Sequence, residues 1–287
     1  MSDRQGPPLI FDAARRRLAR DRAHAGFAAH GFLYRYMIDG LLERLEDVRL
    51  PLDRVLLIGC PDGSARAALE ALGKTVTCCD PGARNAAANG GIQAEEDALP
   101  FAADSFDLAL ACGTLDSIND LPGALIQIRR LLRPDGLLLG ACIGAGSLPR
   151  LKAALIEAEG DRPMPHIHPQ IDVRAAGDLL TRAGYAMPVA DVEHLTVRYS
   201  SALSLMHDLR GMGYGNVMAA GRRGLLTRET VARASAAFSA AADPDGKTAE
   251  SFSILYLSGW KPDASQPRPA RRGSAKVSLA DALRPRD

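Results

Sequence analysis

The sequence predicts a doubly wound α/β fold around a mostly parallel sheet, and three observations carry that prediction. Apolar runs of strand length recur at Arg54–Gly59, Thr75–Cys79, Phe106–Cys112 and Leu137–Ile143. A helical stretch separates each from the next, which is the crossover that parallel pairing requires. The runs are apolar throughout rather than alternating, as in strands covered on both faces.

Taken in order, residues 10 to 48 place Leu, Phe, Tyr, Met and Ile at three-to-four spacing among Arg and Asp, so one or two amphipathic helices precede the sheet. Arg15, Arg16 and Arg17 with Arg20 and Arg22 read as a solvated face of that segment, with a partner-docking surface as the alternative. The run ending at Gly59 is stopped by Cys60-Pro61-Asp62-Gly63 and followed by helix formers from Ser64 to Leu72, with Ser64 as the expected cap. Beyond about residue 145 the pattern changes. Leu148–Ala158, Val173–Ala183, Ser201–Met212 and Arg228–Ala242 read as helices, and Val192–Tyr199 and Phe252–Trp260 as strands. The two late strands are expected to complete the sheet as an antiparallel pair, with the loop from Gly211 to Asn216 and its helices as a cap. The expected organisation is a helical segment over 1–50, a main domain over 51–260 with a cap at about 145–250, and a basic, extended Pro-, Arg- and Ser-rich tail over 261–287.

Composition narrows the class. The 287 residues are 47% hydrophobic and 24% charged with a formal charge of +1, which excludes a disordered tail protein and a collagen-like fibre. A balance so close to neutral argues against broad nucleic-acid binding, although residues 1–25 carry six Arg against three Asp. Five cysteines, an odd number, all sit in or beside apolar runs and read as reduced core residues in a cytoplasmic protein. No apolar run approaches the roughly 18 residues of a membrane span, and the first eight residues lack the apolar stretch of a secretory signal.

The chemistry concentrates in the first half. A strand ending in Gly59-x-x-x-Gly63 before a helix lets backbone approach a ligand and aims helix N–H groups at it. The next strand ends in Asp80, where a carboxylate can accept both hydroxyls of a ribose. Together they favour a nucleoside-containing cofactor, either a dinucleotide or S-adenosylmethionine. Further along the chain come Glu95-Glu-Asp-Ala-Leu-Pro-Phe101, Ser105-Phe-Asp-Leu108, Asn119-Asp-Leu-Pro122 and Leu131-Leu-Arg-Pro-Asp-Gly136. In order and spacing, this series resembles the class I S-adenosylmethionine-dependent methyltransferases across residues 54–143. Pro165-His166-Ile167, Arg182-Ala-Gly-Tyr185, Asp208 to Gly213, Gly259-Trp260-Lys261 and Ser265 to Ser278 narrow the resemblance to the respiratory complex I assembly factor 5 type, whose mitochondrial member acts as an arginine hydroxylase. The malonyl-carrier-protein methyltransferase is a more distant cousin.

That resemblance implies a seven-stranded, mostly parallel, Rossmann-like sheet and S-adenosylmethionine as cofactor. Carried over position by position, the glycine loop falls on Gly59, Cys60 and Gly63, the ribose acid on Asp80, the adenine-side acid on Glu95 with Asp97 as a neighbour able to substitute, and the strand end facing the methyl group on Ala111 and Cys112 through Thr114. Two departures stand out. Leu57 replaces an expected Asp and Pro61 an expected Gly; proline fixes φ and removes an N–H donor. Losing one charge-assisted hydrogen bond, about 1.5 to 3 kcal/mol, lowers affinity roughly 10- to 150-fold. Asp62 is the nearest substitute carboxylate. Asp116-Ser117 stands where the family has His-Trp, removing an aromatic wall.

His166, His168 and Asp172 have the residue types of a two-histidine, one-carboxylate iron site, but the prolines around them read as a loop with locally bonded histidines, and no metal is expected. No catalytic side chain is assigned, because methyl transfer needs position and a dry pocket more than acid–base groups. The expected function is an S-adenosylmethionine-dependent methyltransferase-fold protein modifying a protein side chain in complex I assembly, its partner a complex I subunit. A non-catalytic assembly chaperone and a carrier-protein or small-molecule methyltransferase are the alternatives. An open cleft beside Asp80 favours the enzyme; a filled one favours the chaperone.

Overall fold

A computed structural model describes residues 9–161, 164–219 and 226–266. The expected tail from residue 267 onward lies outside the described residues, as do residues 1–8. Seven strands form one sheet in the order β3-β2-β1-β4-β5-β7-β6: β1 (Arg54–Ile58), β2 (Thr75–Asp80), β3 (Ile92–Gln93), β4 (Phe106–Cys112), β5 (Leu132–Ile143), β6 (Ala186–Tyr199) and β7 (Thr248–Trp260). β1 to β5 pair in parallel, and β7 runs antiparallel to both β5 and β6. The expected antiparallel completion is therefore present. The strand order reverses between β1 and β4, and in open α/β sheets ligands bind outside the carboxyl ends of strands at such a point.

Strand periodicity divides the core into two layers. Val55, Leu57, Leu108, Leu110, Leu137 and Leu139 point to one face of the sheet, against α3 (Phe32–Glu46), α4 (Ser64–Ala71) and α7 (Pro149–Glu159). Leu56, Ile58, Ala109, Ala111 and Leu138 point to the other, against α6 (Leu121–Leu131) and α8 (Val173–Arg182). Each fully buried Leu contributes about 1.5–3 kcal/mol. Leu57 belongs to the first layer and is completely buried, so the position where a carboxylate was expected is a core position here.

Helix starts follow side-chain chemistry. Asp12 accepts from the Arg15 amide to cap α1 (Ala13–Ala23), and Asp120, Asp172, Ser201 and Thr227 cap α6, α8, α9 (Ala202–Gly211) and α10 (Arg228–Ala240) in the same way. Ser64 is not a cap. Gly63 holds that position, and Asp62 accepts from the Ser64 amide and hydroxyl, so the Asp62 carboxylate is spent on its own turn. The short helices α2 (Phe27–His30) and α5 (Ala83–Ala88) complete the framework. α1 meets the carboxyl ends of β2 and β4 through Arg20 and Arg16.

Candidate active site

Gly59 leaves β1 at φ +84°, a conformation natural to glycine. Its need for glycine is also steric: a Cβ there would stand 2.3 Å from the Cys112 carbonyl oxygen and 2.5 Å from the Thr114 methyl. The loop is drawn against the end of β4, and the Tyr34 hydroxyl of α3 donates to the Gly59 carbonyl at 2.9 Å. Pro61 is buried beside it. The Cys60 amide donates to Asp80 Oδ2 at 2.9 Å, and the Cys60 carbonyl accepts from Asn89 Nδ2 at 2.9 Å.

Asp80 organises this end of the sheet. Although 0% exposed, it accepts five hydrogen bonds, from the amides of Cys60 and Gly82, from Asn85 Nδ2, and from Arg20 twice. Arg20 grips it in fork geometry, Nε to Oδ1 at 2.8 Å and Nη2 to Oδ2 at 2.7 Å, and its Nη1 reaches the Gly113 carbonyl at 3.2 Å. Burial alone would raise the Asp80 pKa; the Arg20 charge and the amide donors outweigh it and hold the carboxyl below its ordinary range. The same pairing, set against the cost of burial, raises the Arg20 pKa.

One helical turn earlier on α1, Arg16 does the same to a second acid. Its Nη1 and Nη2 hold Glu96 at 2.8 Å each, and it also bonds Glu95, the Thr114 carbonyl and the Ser117 hydroxyl. The buried acid is thus Glu96, fully enclosed, rather than Glu95 or Asp97. Glu95 is partly exposed and shared between Arg16 and Arg17, and Asp97 is exposed. The expected solvated arginine face is corrected accordingly: Arg16 is only 4% exposed and Arg20 is largely enclosed, because i, i+4 spacing puts both on the side of α1 that meets the acids. Ala111 and Cys112 are sealed in the sheet, and the stretch beyond them, Gly113 to Ser117, is stitched to α1.

Between Arg20, Tyr34, Pro61, Asn85, Gly113 and Tyr214 remains a cavity of about 10 Å³, room for about one water. Tyr214 also lines a second cavity of about 160 Å³ beyond the ends of β4 and β5, whose other walls include Asp116, Ile143, Leu151, Leu155 and His168. Asp116 Oδ1 itself is sealed and has no hydrogen-bond partner, and burial raises the carboxyl's pKa against the opposing pull of Arg16 and the backbone of Ile143 and Asp116. His166, His168 and Asp172 do not converge. His166 pairs with Glu159 at 2.6 Å, His168 Nε2 accepts from the Val217 amide at 3.1 Å, and Asp172 caps α8.

Comparison with known proteins places this architecture. A methyltransferase domain family matches residues 56–140. The mitochondrial arginine-hydroxylase NDUFAF5 of Danio rerio is 43% identical over 194 residues, covering 66% of this chain and 60% of that protein, and the Homo sapiens protein is 40% identical with 56% covered. The chain therefore spans under two thirds of the length of these relatives. The malonyl-[acyl-carrier protein] O-methyltransferase of Methylovorus sp. is 32% identical over 294 residues, covering 96% of this chain and 94% of that one. The chain belongs to the class I S-adenosylmethionine-dependent methyltransferase family. The YcgJ protein of Bacillus subtilis shares the fold at a TM-score of 0.54 and 15% identity, over 80% of this chain and 99% of its own.

S-adenosylmethionine is the cofactor of this methyltransferase family, and the occupancy of Asp80 tests whether it fits this conformation. A carboxylate offers about four lone-pair sites, and five donors already claim them. The methyltransferase cleft is filled, by Arg20 in front of Asp80 and Arg16 in front of Glu96, and the expectation of an open cleft with free backbone donors is not met. With α1 in this position the cofactor does not fit. The obstruction is one helix; neither Leu57 nor Pro61 contributes a side chain to the grip on Asp80.

Proposed function

We propose that this chain is an S-adenosylmethionine-dependent transferase that modifies a protein side chain during assembly of respiratory complex I. The observation that carries the reading is the 160 Å³ cavity with Asp116 at its wall. Ile143, Leu148, Leu151 and Leu155 supply apolar walls suited to an alkyl stem, and Asp116 is the acid of a lining whose one Lys or Arg is Arg210. A long basic side chain suits that combination, and the name arginine-hydroxylase carried by the relatives supports the reading.

Mass spectrometry of complex I subunits from cells with and without this chain tests the reading. The expected result is a mass increment on one basic side chain, present with the wild type and lost with Asp116→Asn. The increment itself separates methylation from hydroxylation. Identical subunits in both cells would refute it.

A second reading, methylation of an acyl-carrier substrate, draws on the relative matched over 94% of its length. Methyl incorporation on an acyl carrier would favour it. A non-catalytic assembly chaperone draws on the filled cleft, and capture of a subunit with no change in mass would favour that.

A further inference from the structure

A groove of about 770 Å³ runs between α1 and α9, lined by Arg15, Arg22, Arg210, His30 and His207 and, among the described residues, by no Asp or Glu. Arg15 gives its guanidinium to the carbonyls of Asn216 and Met218, which orient it and leave its charge uncompensated. Arg22 and Arg210 are exposed and make no hydrogen bond or ion pair among the described residues. Acids close to them in the chain are engaged elsewhere: Asp21 accepts from the Arg84 amide at 2.9 Å, and Asp208 from His30 Nδ1 at 2.7 Å. Arg16 and Arg20, by contrast, turn to the strand ends and are balanced by Glu96 and Asp80. One helix therefore carries a satisfied side and a side of unpaired positive charge.

The groove and the side-chain cavity share a wall, since Arg210, Gly215 and Asn216 line both. Arg210 is the one Lys or Arg of the cavity lining, where its charge opposes the entry of a basic guest. A carboxylate lodged in the groove against Arg210 offsets that repulsion, so an acid next to the guest on the same chain favours its entry. The rest of the lining suits a polypeptide better than a nucleic acid. Leu18, 46% exposed, stands beside Ala19 and Ala23, and no Phe, Tyr or Trp is present for bases to stack on.

We propose that this groove docks an acidic segment of the protein substrate, adjacent in sequence to the basic side chain that enters the Asp116 cavity. The inference rests on the reading of that cavity as the side-chain site and adds its selectivity: among many exposed basic side chains, the one with acidic neighbours is taken. Complementary charge of this kind selects the partner and speeds encounter, and its effect falls with salt.

Fluorescence anisotropy of short labelled peptides on the full chain tests it. One peptide sets a central Arg between runs of Asp and Gly, a second replaces its Asp by Asn, and a third replaces its Arg by Ala. At low salt the Asp peptide is expected to bind about fivefold more weakly to Arg22→Gln and at least about tenfold more weakly to Arg22→Gln combined with Arg210→Gln. Arg174→Gln, which removes an exposed charge on α8, leaves binding unchanged, and the Asn peptide binds weakly and is indifferent to Arg22. Equal binding to wild type and Arg22→Gln, or an equal loss in Arg174→Gln, overturns the groove, as does a single-stranded oligodeoxynucleotide of the same charge bound as tightly and with the same dependence on Arg22. Should a variant not fold, the two peptides make the comparison on the wild type, and an Asn peptide bound as tightly as the Asp peptide overturns the groove while leaving the cavity reading intact. An Ala-centred peptide bound as tightly as the Arg-centred one overturns the cavity reading and, with it, the link between groove and cavity. Absence of binding by every peptide overturns the groove alone, because mass spectrometry of the subunits still decides the cavity.

Discussion

Arg20 and Asp80 are joined by two charge-assisted hydrogen bonds of 2.8 and 2.7 Å, and the acid is wholly buried beneath the arginine. The pair links a helix at the start of the chain to the tip of β2, sixty positions on. It is a structural clasp, set on the acid that the family resemblance assigns to the cofactor's ribose.

The clasp has a stability signature. Arg20→Ala leaves a buried carboxylate without its counter-charge, an arrangement that costs about 3–5 kcal/mol. The expectation is a loss of that order in urea denaturation, with Arg20→Ala combined with Asp80→Asn losing clearly less than the sum of the two single variants. Additive losses would mean that the pair does not couple in solution.

Gly59 and Gly73 separate strain from crowding. Both have positive φ, +84° and +76°, but a Cβ at Gly73 meets nothing within 4 Å, whereas one at Gly59 drives into the Cys112 carbonyl. Gly73→Ala is expected to cost about 1–2 kcal/mol from the backbone alone, and Gly59→Ala distinctly more. Thermal melts of the two variants measure the difference, and equal shifts would contradict the packing of the glycine loop on β4.

His168 sets a pH dependence. Burial, followed by repulsion from Arg16 and Arg15, lowers its pKa from the ordinary 6.5 to about 4. The native imidazole is therefore neutral where the unfolded one is protonated, so the unfolded chain binds more protons between pH 6.5 and 4 and stability falls as pH drops through that window. The contribution reaches about 3 kcal/mol and levels off below pH 4. Asp80 has the opposite origin but the same sign at lower pH: its depressed pKa stabilises the fold above about pH 4 and that contribution is lost as pH falls further. Denaturation midpoints of the wild type and His168→Gln from pH 7 to 4 should differ in slope; parallel curves would contradict the buried, neutral histidine.

Asp116→Asn distinguishes a functional carboxyl from a structural one. Replacing a buried acid whose Oδ1 has no partner is expected to leave the melting temperature unchanged or higher, while modification of a basic side chain falls at least about tenfold. A destabilised protein with intact modification would assign Asp116 to the fold instead.

The fold was legible because strand-length apolar runs and crossover helices are encoded locally, and the expected strands at 54, 75, 106 and 137 all formed. β3, two residues long, left no pattern to read. The site was only partly legible. Gly59 and Asp80 could be found from a strand-turn-helix pattern, since the turn and the strand end define each other. Glu96 could not be told from Glu95 and Asp97, because the three lie outside any regular element and no periodicity says which one turns inward. Arg16 and Arg20 were readable as one face of α1 from their spacing, but their acidic partners lie 60 to 80 positions away, and a local pattern of arginines does not distinguish a solvated face from one that meets buried acids.

The most direct test of the central claim, that this chain is an S-adenosylmethionine-dependent transferase although α1 fills the cleft in this conformation, is titration of S-adenosylmethionine into the wild-type chain up to millimolar concentration. The account predicts a saturable one-site isotherm that S-adenosylhomocysteine displaces. A flat trace throughout, in a protein shown to be folded, would contradict it.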